Sequence, residues 1–371
     1  MGKSVQWRIV HSEASLGWGG QEHRVLAELR GFRSRGSWVA LLAPPLSEIY
    51  KRCVAEGIAV RPLDTRKSRY LLNAWRLRTW LRANDVQIVN THSSRDGYLV
   101  GAAARLARTP LCIRSRHIDV SYRNPRISRL AFSSLADHVM TTSGRITTHL
   151  KDTFRLPHDR ISTVSTGVDT ERFSPDGVAA DLSIVPGSDD APLVGMASVL
   201  RSWKGHADYL RAARILKDRG VLARYVIVGD GPQRANIIET ISELDLREDV
   251  TMLGHREDVD ELLRSLDVLV VPSTGHEGIP QIGLQALACG TAVVGTDAGG
   301  IPEIIQEGRT GRIAPTKDPR GLAAAIEATL TEPEKTQAYV KAGRELVLQG
   351  HSLAHMLDRV DQLYRRHLHG D

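Results

Sequence analysis

STGHEGIPQIGLQALACGTAVVGTDAGGIPE, residues 273–303, follows the apolar run Val268–Val271 and Pro272. Four consecutive apolar residues there predict a strand buried on both faces, ending in a polar, glycine-containing turn. Pro280 suits the first position of a helix, where its missing N–H costs nothing. The helix closes before a second apolar run at 292–295. Strand, turn, helix and strand in that order, with apolar rather than alternating strands, predict a parallel sheet covered on both faces by helices.

The same alternation extends outward over the rest of the chain. Strands are predicted at 8–10, 86–91, 111–114, 138–142, 161–165, 193–197, 225–228 and 250–253, besides 268–271 and 292–295. Segments 206–217 and 233–244 between them repeat apolar residues at three and four. The expectation is an α/β chain of two doubly wound, Rossmann-like domains. Residues 173–191 are rich in Pro, Gly, Ser and Asp and lack helical periodicity, so the first domain is expected over 1–185 and the second over 186–350. Residues 351–371 read as a terminal helix that packs back across the domains. Doubly wound domains place ligands at the carboxyl ends of their strands, so a cleft between the two is the expected site.

At 371 residues, with 42% apolar and 25% charged, the composition is that of a globular protein large enough for two cores. The net charge of +6 conceals an asymmetry: residues 1–185 hold 28 basic against 16 acidic residues, and 186–371 hold 21 against 27. The first half is expected to face something anionic. Cys53, Cys112 and Cys289 form no CxxC pair, which speaks against structural zinc, iron–sulfur clusters and a disulfide framework. The uncharged stretch 278–296 contains Pro280, Gln281, Gln285 and several glycines, so it does not read as a membrane span, and no signal peptide is read at the start. A cytoplasmic location is expected, with peripheral attachment to the inner face of the membrane.

The chemistry is expected around the helix start. Backbone N–H groups at Gly278, Ile279, Gln281 and the residues up to Gly283, beside Pro280, would be unpaired and able to bind phosphate or sugar hydroxyls. Glu277 adjoins these donors and can accept from hydroxyls.

The stretch resembles the signature of retaining, nucleotide-sugar-dependent glycosyltransferases of family 4, which have the GT-B fold. In that signature two Glu residues separated by seven bind the donor sugar and the nucleotide ribose. Glu277 matches the first, and Gln285 stands at the second, keeping a hydrogen-bonding side chain without the charge. Residues 196–206, MASVLRSWKGH, resemble the segment in which an Arg and a Lys clamp the diphosphate. Lys204 matches the Lys; Val199 occupies the Arg position, with Arg201 as its substitute. The resemblance further implies donor contacts from Gly229 in VIVGDGP and from His255 and Arg256 in LGHR. It places Gly19 and Gly20 of GWGGQE in a glycine-rich loop near the diphosphate and acceptor. His117 matches the histidine beside the transferred sugar, and His92, Arg95, Arg114 and Arg116 become acceptor-side candidates. The implied catalytic pair is His117 and Glu277, and no metal or other cofactor is implied, the cationic side chains doing the work of a metal.

Rival motifs are weaker. Asp258 and Asp260 form a literal DxD, but on a short amphipathic helix where acids are expected to face solvent. His351 and His355 lack a third ligand at zinc spacing. Neither GxSxG nor a Walker motif occurs. The expected function is sugar transfer from a nucleotide-diphosphate sugar to a glycan or lipid-linked hydroxyl, in bacterial lipopolysaccharide or exopolysaccharide synthesis. The alternatives are a sugar-nucleotide epimerase or phosphorylase, or a silent sugar-nucleotide binder, of the same fold. A nucleic-acid partner is not expected, because the basic residues follow no recognised nucleic-acid module. Residues 66–82 carry six positive charges and no acid among Leu and Trp, the pattern of a helix lying on an anionic membrane.

Overall fold

A computed structural model describes residues 6–122, 124–188 and 190–370. They form two compact units: one runs to Gly167 and resumes at Leu353, and the other is Val168–Ser352.

The first unit holds β1 (Arg8–Ser12), β2 (Trp38–Ala43), β3 (Ala59–Pro62), β4 (Ile88–Thr91), β5 (Leu111–Arg116), β6 (His138–Thr141) and β7 (Ile161–Thr163). All pair in parallel in the order β3-β2-β1-β4-β5-β6-β7. Successive side chains of β1 enter opposite layers, as strand geometry requires. Ile9 joins Val25, Leu29 and the terminal helix, whereas Val10 joins Leu77, Leu81, Leu99 and Val100.

The second unit holds β8 (Leu193–Ala197), β9 (Arg224–Val228), β10 (Val250–Gly254), β11 (Val268–Val271), β12 (Ala292–Thr296) and β13 (Arg312–Ala314), ordered β10-β9-β8-β11-β12-β13. One face packs on the helices His206–Asp218 and Pro319–Thr331, the other on Gln281–Cys289 and Pro333–Gly350. In each sheet the chain order reverses once, between β1 and β4 and between β8 and β11. At such a reversal the loops leave in opposite directions and open a crevice at the strand ends.

Three differences from the sequence reading have physical causes. The units divide at 167/168 rather than 185/186, because Phe173, Leu182 and Val185 are buried in the second unit's core. The terminal helix Leu353–Leu368 belongs to the first unit alone, with Met356, Leu357, Val360, Leu363 and Tyr364 buried beside Trp7 and Phe32. Strands β2, β3 and β13 were not expected. β3 and β13 are short edge strands, while β2 is a wholly apolar run (WVALLA) between Gly36-Ser37 and Pro44-Pro45 that length and flanks make recognisable.

Candidate functional site

In the second unit the loops after β8, β9 and β11 meet at the reversal. Gly205 follows β8 in the left-handed region (φ +80°), and a Cβ there would sit 1.8 Å from the Pro272 carbonyl oxygen after β11. Gly229 after β9 (φ +130°) would place a Cβ 1.9 Å from the Ser198 oxygen. Only glycine allows these approaches. Thr274 N–H donates to the Trp203 oxygen at 2.8 Å, joining the two loops again.

The close approach brings the two principal donor-side candidates together. Lys204 Nζ lies 2.5 Å from Glu277 Oε1, and Ser273 Oγ donates to the same oxygen at 2.7 Å. Glu277 is buried and Lys204 half-buried. A fixed carboxylate and a fixed ammonium side by side can receive hydroxyls and phosphate respectively. Arg201 is exposed, its guanidinium 5.2 Å from the Trp203 ring centroid, and Trp203 meets His276 edge-on. The helix Gln281–Cys289 starts beside Glu277. Gly283 N–H is taken by the Pro280 oxygen at 3.1 Å, which corrects its expected freedom. No backbone partner occurs for the N–H groups of Gly278, Ile279, Gln281 or Ile282 among the described residues. Gln285 lies half-buried further along this helix.

His255 is exposed at the end of β10, and Arg256 next to it is bound by Asp258, with Nε–Oδ1 at 2.9 Å. Asp260 sits 2.7 Å from both Arg172 and Arg264. The DxD acids were expected to face solvent. Instead arginines engage both, holding their carboxyls below the usual range despite an opposing burial cost. Among the described residues no group of three or more His, Cys, Asp or Glu side chains is arranged to hold a metal ion.

In the first unit the reversal gathers histidines. His11 is the penultimate residue of β1, His92 follows β4 and His117 follows β5; all three are buried. Asp96 fixes the β4 turn by accepting from Ser12 Oγ at 2.5 Å, Ser93 Oγ at 2.6 Å and His92 N–H at 3.0 Å. Arg114 is equally committed, donating to the Ser93 oxygen at 2.5 Å. Two acceptor-side candidates thus differ in setting: Arg114 is buried and tied to the β4 turn, whereas Arg95 is exposed on the first turn of the helix Ser94–Ala107. Arg116 is buried with its guanidinium 5.6 Å from the Tyr122 ring centroid, and burial lowers its pKa.

Gly19 caps the helix Gly20–Ser34, its N–H donating to Glu22 at 2.9 Å. Beside it Glu13, which sequence reading did not single out, is buried immediately after β1. Burial first, then Asp96 and Glu22, push its carboxyl up to about 8. His11 and the buried pair Arg24–Glu28 were missed too. The signal for Arg24 and Glu28 would have been charged residues at core positions of an amphipathic helix, whereas His11 lies within the strand β1.

The family model for "Glycosyltransferase Family 4" matches residues 18–172, and that for "Glycosyl transferases group 1" matches residues 182–346. Among curated proteins, the putative glycosyltransferase EpsF of Bacillus subtilis (strain 168) is 28% identical over 66% of this chain and 62% of its own. The alpha-maltose-1-phosphate synthase of Mycolicibacterium smegmatis is 29% identical over 62% of this chain and 63% of its own. The putative colanic acid biosynthesis glycosyltransferase WcaL of Escherichia coli is 33% identical over 52% and 47%. The chain thus spans about three fifths or less of these relatives' lengths. A glycosyltransferase from Rickettsia africae has the same fold at TM-score 0.88 and 20% identity, covering 99% of this chain and 100% of that one. Anabaena HepE, solved with UDP and glucose, follows at TM-score 0.83 and 18% identity, covering 96% and 99%.

Proposed function

The chain belongs to glycosyltransferase family 4 and has its GT-B fold of two Rossmann-like domains, and from that premise we propose that it transfers a sugar from a nucleotide-diphosphate sugar to a hydroxyl, with retention at the anomeric carbon. The observation that carries this reading is the Ser273–Glu277–Lys204 cluster at the strand reversal of the second unit. HepE is solved with UDP and with UDP-glucose, which supports a donor of that class.

In this reading Lys204, Arg201 and the N–H groups before Gln281 neutralise the diphosphate as it departs, supplying positive potential without a metal. Glu277 accepts from sugar hydroxyls, oriented by its bond from Ser273. The family resemblance assigns His117 of the first unit to the sugar, and the departing phosphate oxygen takes the acceptor proton in a front-face displacement. The residues act by placement and charge, so no protein base is required. The acceptor is a glycan or lipid-linked hydroxyl of a bacterial surface polysaccharide, in keeping with the colanic acid biosynthesis naming of WcaL.

Release of nucleoside diphosphate from a panel of sugar nucleotides, with and without acceptor glycans, tests the reading. Acceptor-stimulated release that persists after chelation is expected, together with an α-linked product from an α-linked donor. Tight donor binding with no turnover would identify a silent binder instead. Loss of activity on chelation, restored by Mg²⁺, would overturn the metal-independent part.

We propose further that the first unit meets an anionic membrane. The helix Tyr70–Ala83 buries Ala74, Leu77 and Leu81 but leaves Leu71, Leu72 and Trp75 exposed beside exposed Lys67, Arg69 and Arg76. Arg78 lies over Trp75, 4.4 Å from its ring centroid. Apolar side chains flanked by cations suit the headgroup region. Among the described residues no helix is long and apolar enough to cross a membrane.

A further inference from the structure

The three histidine rings of the first unit are joined end to end. His11 Nδ1 lies 2.9 Å from His92 Nε2, and His92 Nδ1 lies 2.8 Å from His117 Nε2. Burial, together with Arg24 and, for His92 and His117, Arg114, opposes protonation of these rings, with Arg116 adding to His117 and Glu28 alone favouring charge on His11. A contact between neutral imidazoles needs one N–H and one bare nitrogen, so the protons along the row must all point the same way.

Two arrangements satisfy both contacts. With every proton on Nε2, donation runs from His117 to His92 to His11, and His117 Nδ1 is bare. With every proton on Nδ1 the direction reverses, and His11 Nε2 is bare. The far end of the row decides between them. His11 Nε2 faces Glu28 Oε2 at 3.9 Å, both buried, and among the described residues neither atom has a hydrogen-bond partner. Glu28 Oε1 accepts from Arg24 Nε at 2.8 Å, which pairs the carboxylate with a guanidinium. An N–H on His11 Nε2 is attracted by the carboxylate, whereas a bare lone pair there is repelled, and at low local dielectric that difference is large.

We propose that Glu28, acting through His11 and His92, fixes His117 as its Nε2–H tautomer, so that His117 Nδ1 is a bare acceptor for a hydroxyl of the bound sugar or acceptor. Glu28, His11 and His92 are positioning residues. The assignment of the hydroxyl rests on the glycosyl-transfer reading; the tautomer does not. Among the described residues His117 Nδ1 has no hydrogen-bond partner, so it remains open to a ligand. A neutral acceptor there also avoids repelling the positive charge that develops on the transferred ring.

Long-range ¹H–¹⁵N spectra of the full chain labelled at histidine report the tautomer directly. At neutral pH His117 is expected with Nε2 protonated and Nδ1 bare; an Nδ1–H tautomer or an imidazolium overturns the proposal. Glu28→Gln is expected to admit the opposite tautomer. Because that change strands the Arg24 charge, His92 supplies a second test. His92→Leu breaks the row and is expected to lose the tautomer preference and to lower kcat on the order of tenfold at little change in donor KM. His92→Gln, which can both accept from His117 and donate to His11, restores both. An unchanged His117 tautomer in His92→Leu overturns the relay. The expected tautomer without turnover of any sugar nucleotide upholds the relay and refutes the transfer reading.

Discussion

Glu277 and Lys204 share one hydrogen bond, yet their loss should be felt differently. Glu277→Ala removes hydroxyl contacts that tighten as the sugar ring distorts, so kcat should fall roughly a hundredfold with nucleotide affinity nearly intact. Lys204→Ala removes the cation and leaves the buried Glu277 carboxylate with Ser273 as its remaining partner. Nucleotide binding and turnover should fall together, with a stability cost of about 1–3 kcal/mol. Steady-state kinetics, nucleotide titration and urea unfolding of the two variants check both outcomes. Gly205→Ala forces a side chain against the Pro272 carbonyl at positive φ and should cost about 3 kcal/mol, visible in a lowered urea midpoint. Glu277 and Lys204 were legible because each stands in a glycine-marked turn directly after an apolar strand. The histidine row was not, since His11, His92 and His117 lie far apart in sequence and only the reversal between β1 and β4 aligns them.

Helices carry two further expectations. Leu357 of the terminal helix is buried and lies against Gly31, where a Cβ would come within 2.3 Å of its Cδ1. Leu357→Ala should therefore destabilise the first unit by about 2–4 kcal/mol through lost burial and the cavity left behind. For the helix Tyr70–Ala83, salt-sensitive co-sedimentation with anionic vesicles is expected. Neutral vesicles should not bind, and Lys67→Glu with Arg76→Glu should release the protein, each cation being worth about 1 kcal/mol near the surface. No binding at low salt would refute membrane attachment. Amphipathic periodicity in 66–82 identified this helix but not its exposed side. Leu77 and Leu81 pack inward while Leu71 and Trp75 stay outside, a division set by neighbouring side chains that spacing does not encode. The terminal helix shows the same limit, because its apolar stripe names no partner.

For the molecule as a whole, burial lowers the pKa of His11, His92, His117, His138, His206 and His367, His138 to about 3 and His206 to about 4. The unfolded chain binds protons at these rings near pH 6.5, and the folded chain does so only at lower pH. Their contribution is thus present above pH 6.5 and lost as pH falls through the folded values. Glu13 acts oppositely: raised to about 8, it favours the folded state below its ordinary value of 4.5 and less so as pH rises through 8. Six histidines outweigh Glu13 and Asp208, whose carboxyls burial raises, and five of the six lie in the first unit. Urea midpoints should drop between about pH 7 and pH 5, with the first unit unfolding before the second; a flat profile would contradict this. The two-unit architecture was legible from strand alternation. The placement of the division was not, because the Pro- and Gly-rich stretch is held at Phe173, Leu182 and Val185 rather than left as a free linker.

The return of the chain to its first unit has a consequence for biosynthesis. β1–β7 emerge from the ribosome first, but their sheet lacks Met356, Leu357, Val360 and Tyr364 until the helix Leu353–Leu368 has been translated. The second unit, continuous from Val168 to Ser352, can close while the earlier-made half still exposes the faces of Trp7 and Phe32. The half made first is finished last, and a nascent chain released before residue 353 would carry a completed second unit beside an open, aggregation-prone sheet.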